Sequence, residues 1–144
     1  ASPNSCWGFC YFNNIAIAIR RLIEARKIGK ALIVDFDLHF GDGTNNTFAG
    51  DPKVMYHHMG SSPRELEGFL SDAGSVDILA VSAGFDRAVA DWGGTLSDED
   101  YQRIGDLLRL FSLEKSQGRR FAVLEGGYNR TTLGKALLSF LNAF

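Results

Sequence analysis

Asp35, Asp37 and His39 stand at alternate positions directly behind the apolar run Ala31-Leu32-Ile33-Val34, and Asp42 follows inside Gly41-Asp42-Gly43. Carboxylates and an imidazole are the donors a catalytic zinc ion takes when one coordination position stays open for a reactant. An Asp-x-His spacing lets both ligands reach one ion from a single extended segment. If the backbone stays extended, period-two alternation points Asp35, Asp37 and His39 to the same side. Asp86 follows a second apolar run, Val76–Ala83, and Gly126-Gly127-Tyr128 follows a third, Phe121–Leu124.

The elements that must position these groups can be read from the same pattern. Apolar runs without polar alternation predict strands buried on both faces, as in a parallel sheet. Helices are predicted from Ile15 to about Arg26 (capped by Asn13 or Asn14, ended by Gly29), near Pro63, after Ser97, and over about Thr131–Asn142, with a short one at Thr44–Phe48. Ser97-Asp98-Glu99-Asp100 has the N-cap and first-turn acids that suit the helix dipole. Lys53–His57 supplies one more short strand. Strands alternating with helices imply right-handed crossovers and a sheet covered on both faces. The expected fold is a three-layer α/β sandwich, a single domain over residues 1–144, with a mostly parallel sheet of about four strands. Ligands in such sheets bind at the carboxyl ends of the strands. The three chemical segments should therefore converge there.

Composition narrows the classes. Hydrophobic residues make up 45%, charged residues 22%, and the net charge is -2. Without a basic run there is no electrostatic footprint for direct nucleic-acid binding, and the apolar stretches are too short to span a membrane. Cys6 and Cys10, the only cysteines, make no disulfide framework, which points to a reduced, cytoplasmic location. The chain begins at Ala1 with loop-like sequence and reads as an excerpt or a processed product.

Four segments, GFCYFNN at 8–14, VDFDLHFGDGT at 34–44, VSAGFD at 81–86 and LEGGYN at 124–129, resemble in order the zinc-dependent histone deacetylases and their relatives, the acetylpolyamine amidohydrolases and acetoin-utilisation proteins. The resemblance implies an arginase/deacetylase-like fold and hydrolysis of an N-acetyl or other N-acyl amide, such as acetyl-lysine or an acetylated polyamine. It implies Asp37, His39 and Asp86 as zinc ligands and Tyr128 as the phenol that bonds the substrate carbonyl and oxyanion. Gly8 and Phe9 are implied as backbone contact and aromatic wall of the substrate tunnel, with Gly126 and Gly127 flanking Tyr128. Asp35 and Asp42 match carboxylates that orient a pair of histidines, and Asp35 also helps hold a structural potassium ion.

Two departures follow from the same resemblance. The family places Gly-His-His just before the segment that begins here at Ala1, so the general base and acid are expected to lie outside this N-terminally incomplete domain. Between Tyr56 and Asp77 the connection is short, and His58 falls near the place of a potassium-binding serine; the tunnel should be shallower or wider. Exposed sheet edges would favour homo-oligomers.

Other readings compete. Asp35-x-Asp37 also resembles the nucleophile motif of haloacid-dehalogenase-type phosphatases, which expects a different residue at His39 and a different motif at Tyr128. A non-catalytic metal-binding module or inactive fragment is the broader alternative. His57 and His58 read as strand-end surface residues, Arg87 as a solvated loop charge, Cys10 as a buried inert thiol, and Trp92-Gly93-Gly94 as a rim or a turn.

Overall fold

The structure, a computed structural model, describes all residues from 1 to 144. In chain order the elements are α1 (Asn14–Glu24), β1 (Ala31–Asp35), α2 (Asp42–Thr47), β2 (Val54–His58), α3 (Pro63–Asp72), β3 (Ile78–Ala83), α4 (Asp98–Lys115), β4 (Arg120–Leu124) and α5 (Leu133–Ala143). The strands form one sheet in the order β2-β1-β3-β4, and every pairing is parallel.

Side-chain alternation along β1 explains the layers. Leu32 and Val34 enter a core with Leu66 of α3, Leu108 of α4 and Phe140 of α5. Ala31 and Ile33 face the other way, against Ile15 and Ile19 of α1 and Phe48 behind α2. All five residues of β1 are buried, as an inner strand covered on both faces requires. Phe36 continues the Leu32 and Val34 side, lying edge-on to Phe85 at 5.6 Å and tilted against Phe140 at 5.3 Å. A rigid aromatic floor therefore lies under the strand ends.

Local chemistry sets the element ends. Asn13 caps α1, its Oδ1 accepting the Ala16 N–H at 3.0 Å, while its Nδ2 donates to Thr44 Oγ1 at 3.0 Å and ties α1 to α2. Ser97 and Asp100 form a reciprocal capping box at the start of α4, satisfying two orphan amides.

Several boundaries differ from expectation. The first helix ends before Gly29, with Arg26 in the left-handed region at φ 55°; the Gly29 N–H instead donates to Asp77 Oδ2 at 2.7 Å. β3 begins at Ile78, because the Val76 N–H is taken by the Lys115 carbonyl. α2 opens at Asp42, two residues before the Thr44 expected. α5 starts at Leu133, since Asn129 organises the preceding residues by accepting from Thr131 N at 3.0 Å. No helix is long and apolar enough to cross a membrane.

Candidate metal centre

The carboxyl ends of β1, β3 and β4 meet at one mouth. Asp37 and His39 follow β1, and Asp86 follows β3; one donor atom from each lies within 4.8 Å of the other two. His39 Nδ1 is 3.3 Å from Asp37 Oδ1 and 3.1 Å from Asp86 Oδ2.

The extended segment expected over Asp35–His39 is not what forms. The Asp37 N–H turns back onto Asp35 Oδ1 at 3.0 Å, and the His39 N–H onto Asp37 Oδ1 at 2.8 Å. Two successive Asx turns thus replace the strand after Asp35, because short carboxylates compete for nearby amides. They bring Asp37 and His39 together and leave Asp35 apart. Asp35 accepts from Tyr56 Oη at 2.7 Å and faces His58 Nδ1 at 3.9 Å.

Main-chain amides orient the two carboxylates of this cluster. Gly126 N donates to Asp37 Oδ2 at 3.0 Å, and Leu38 N to Asp86 Oδ1 at 2.9 Å. Asp86 is fully buried, and its Oδ2 accepts no hydrogen bond, the His39 Nδ1 beside it at 3.1 Å lying out of hydrogen-bonding line. Burial, with Asp37 adding to it, pushes its carboxyl above the ordinary range. A buried carboxylate oxygen without a hydrogen bond is costly, and a cation between Asp37, His39 and Asp86 would relieve that cost. The donor set and this unbonded oxygen suit a divalent cation. Glycine is required beside them: a Cβ on Gly126 would sit 2.6 Å from Asp37 Oδ2 and 2.8 Å from the Asp86 carboxyl carbon.

Tyr128 follows Gly126 and Gly127 at the rim, partly exposed. Its N–H and that of Asn129 both donate to Asp91 Oδ2 at 2.7 Å. Its ring stacks on Trp92 with centroids 4.1 Å apart, and Trp92 stands edge-on to His39 at 6.0 Å. Trp92 is thus part of the rim rather than a bare turn. Desolvation first, then the Asp37 and Asp86 charges, raise the Tyr128 phenol above its ordinary value, so it carries its proton at neutral pH. Phe9 lies across from Tyr128 with ring centroids 6.3 Å apart. It is highly exposed, and Gly8 and Phe9 turn with φ 59° and 61°. Gly127 adopts φ 136° and packs close to Leu133 and Phe85. Asp42 is half-buried at the first position of α2.

Other residues escaped the sequence reading. Asp91 and Tyr56 belong to none of the four segments and are found only by tertiary contact, while Glu125 lies inside LEGGYN with no role implied for it. Arg87 is buried, contrary to its reading as a solvated charge. His57 stacks on Phe69 at 3.6 Å, and Cys10 is only partly buried.

Glu125 lies 3.4 Å from Ser82 Oγ. Burial first, then the Asp35 and Asp37 charges, push its carboxyl from 4.5 up to about 7. The folded state then holds the proton more tightly than the unfolded chain. Its contribution to stability is complete below pH 4.5 and is lost as pH rises through about 7. Metal-free protein is expected to lose about 1–3 kcal/mol across that window. Urea titrations of wild type and Glu125→Gln should diverge with rising pH, the variant becoming the more stable; parallel curves would count against this.

The family model for the histone deacetylase domain matches residues 1–75, just over half of the chain. This chain belongs to the histone deacetylase family. Human histone deacetylase 7 is 42% identical over 99 residues, covering 67% of this chain and 10% of that protein. A probable deacetylase of Methanothermobacter thermautotrophicus is 31% identical over 183 aligned positions, covering 98% of this chain and 54% of the relative. The alignment is longer than the chain's 144 residues, so the archaeal deacetylase carries insertions relative to it. The crystal structure of the HDA15 HD domain superposes with a TM-score of 0.80 at 24% identity, covering 99% of this chain and 52% of that one. That likeness supports the arginase/deacetylase-like fold. The chain spans about half the length of the archaeal deacetylase and of the HDA15 domain, and far less of the human protein.

Proposed function

We propose that this chain carries the metal-binding and oxyanion-binding half of a zinc-dependent amidohydrolase that removes an acetyl or other acyl group from an amine. The observation that carries the reading is the convergence of Asp37, His39 and Asp86 around a buried carboxylate oxygen that accepts no hydrogen bond. Asp37, His39 and Asp86 would hold the ion. Zinc, when bound, supplies a polarised carbonyl and a water acidified toward pKa ~7.

This chain's own residues do the rest of what is assigned to it. Tyr128 donates its phenolic proton in a hydrogen bond to the substrate carbonyl, an interaction that strengthens as charge grows on that oxygen. Asp91 fixes the Tyr128 main chain and Trp92 fixes its ring. Phe9, Trp92 and Tyr128 offer aromatic surface to the alkyl stem of the substrate, while Gly8, Gly126 and Gly127 keep the backbone close to it. Asp35 and Asp42 are assigned to orienting proton-handling histidines. Those histidines are not His39, His57 or His58, the three that the chain contains. Acetyl-lysine in a peptide and an acetylated polyamine both fit an alkyl chain ending in a small amide.

The test is zinc content and acetate release. Protein purified without chelators should hold about one zinc per chain, and it should release acetate from an acetyl-lysine peptide or N-acetylputrescine once proton-handling groups are present. A folded protein that takes up no zinc would sink the reading.

A further inference from the structure

Arg87 follows Asp86 directly, but its side chain turns away from the mouth and runs beneath it. Only 7% of the residue is exposed. Nε donates to the Asp37 carbonyl at 3.1 Å, Nη1 to the Gly60 carbonyl at 2.7 Å, and Nη2 to the Met59 carbonyl at 3.1 Å. Nη2 also lies 3.1 Å from His58 Nε2. A guanidinium has no acceptor, so His58 Nε2 accepts and the His58 proton sits on Nδ1, toward Asp35. None of these partners is a carboxylate.

A buried charge without an ion-pair partner is expensive unless fixed dipoles compensate it. Here the compensation is a set of converging main-chain carbonyls, the donor type that holds a hard metal cation. The carbonyls come from the segments leaving β1 and β2, one of them from Asp37. The Arg87 carbonyl in turn accepts the Thr95 and Leu96 N–H groups at 2.9 and 2.8 Å, fastening the loop after β3. One side chain therefore ties three strand ends together.

We propose that Arg87 is a built-in cation standing where a bound monovalent ion would otherwise be needed, and that it positions Asp37 for the metal. The potassium ion implied by the resemblance does not fit this arrangement, because the oxygens around Asp37 and Met59 are committed to the guanidinium and His58 brings an imidazole nitrogen. The claim about Asp37 rests on the zinc reading above. The claim about the cation does not.

Two measurements on wild type, Arg87→Ala and Arg87→Lys test it: the thermal midpoint of metal-free protein, and zinc affinity by competition with a chromophoric chelator. Each is made at equal ionic strength in potassium, guanidinium (tens of millimolar) or tetramethylammonium chloride. Wild type should show the same midpoint in potassium as in tetramethylammonium. Arg87→Ala should lose about 10–100-fold in zinc affinity, the usual cost of removing a group that orients a ligand. It should recover about tenfold of this, and part of its midpoint, in potassium or guanidinium but not in tetramethylammonium. Arg87→Lys, which keeps a cation, should stay within about tenfold of wild type. A wild-type midpoint that depends on potassium, an alanine variant with unchanged zinc affinity, a loss that neither cation rescues, or a lysine variant as weak as alanine would each overturn the proposal. If wild type binds no zinc, the proposed function falls, while the midpoints, read without zinc, still decide whether Arg87 replaces an ion. Should Arg87→Ala fail to fold, the lysine variant and the cation-insensitivity of wild type carry the decision.

Discussion

Replacing Asp86 with asparagine is expected to remove bound zinc and yet make the metal-free protein more stable. Asparagine keeps an oxygen for the Leu38 N–H, which Asp86 Oδ1 accepts at 2.9 Å, so the local fold survives. It removes a buried charge whose other oxygen accepts nothing. Such a charge is a burden on the apo protein, and the upward push on its carboxyl reflects the same cost. With zinc the sign reverses. A ligand present at a hundred times its Kd stabilises the folded state by about 2.7 kcal/mol, and the variant forfeits that gain. The two midpoint curves, plotted against zinc concentration, should cross. Curves that never cross, or a variant that still holds one zinc per chain, would mean that Asp86 is a structural carboxylate.

The second large effect is on turnover. Tyr128→Phe is expected to lower kcat by roughly 10²–10³, or about 2.7–4 kcal/mol of transition-state stabilisation, the usual loss for one oxyanion donor. Zinc content and midpoint should not move. The interactions that seat Tyr128 are its main-chain N–H on Asp91 and its ring on Trp92, and phenylalanine retains both. A loss that falls mainly on kcat, with KM little changed, is the signature of a bond far stronger in the transition state than in bound substrate. If the variant instead raises KM at constant kcat, the phenol merely binds substrate. Assays belong on protein that includes proton-handling histidines, since a missing general base or acid alone costs ~10²–10⁴.

Much of this arrangement is legible in the sequence, for physical reasons that also mark where legibility stops. The apolar runs at Ala31–Val34 and Val76–Ala83 leave few options besides inner strands, and parallel strands send their ends to one mouth. That is why Asp37, His39 and Asp86 can be grouped from the sequence. The turn that groups them is less visible, because Asp35, Asp37 and His39 suit an extended segment as well as two Asx turns. Only the competition for the Asp37 and His39 amides decides it. Arg87 is misread for a related reason. An arginine beside a loop aspartate is solvated by default, and its burial depends on carbonyls from segments up to 50 residues away. Asp91 has no periodic or motif signal, and Glu125, though inside LEGGYN, has no role implied by it; what they do arises from tertiary contacts, with Tyr128 and Asn129 for Asp91 and with Ser82 for Glu125.

The bond from Gly126 N to Asp37 Oδ2 joins residues 89 positions apart. It can close only after β3 has docked on β1 and β4 on β3, because that is the order of the sheet. Contacts of such sequence separation pay their loop-closure entropy late and slow folding. The Asp37 carboxylate therefore acquires its final orientation when the last strand arrives, and the Asp37, His39 and Asp86 cluster is not preassembled in a partly built sheet. Refolding followed by a zinc-sensitive signal should lag behind refolding followed by helix content. The metal would act as a proofreader of the finished chain topology, captured tightly by molecules whose β4 is in register and weakly by those that stopped one strand short.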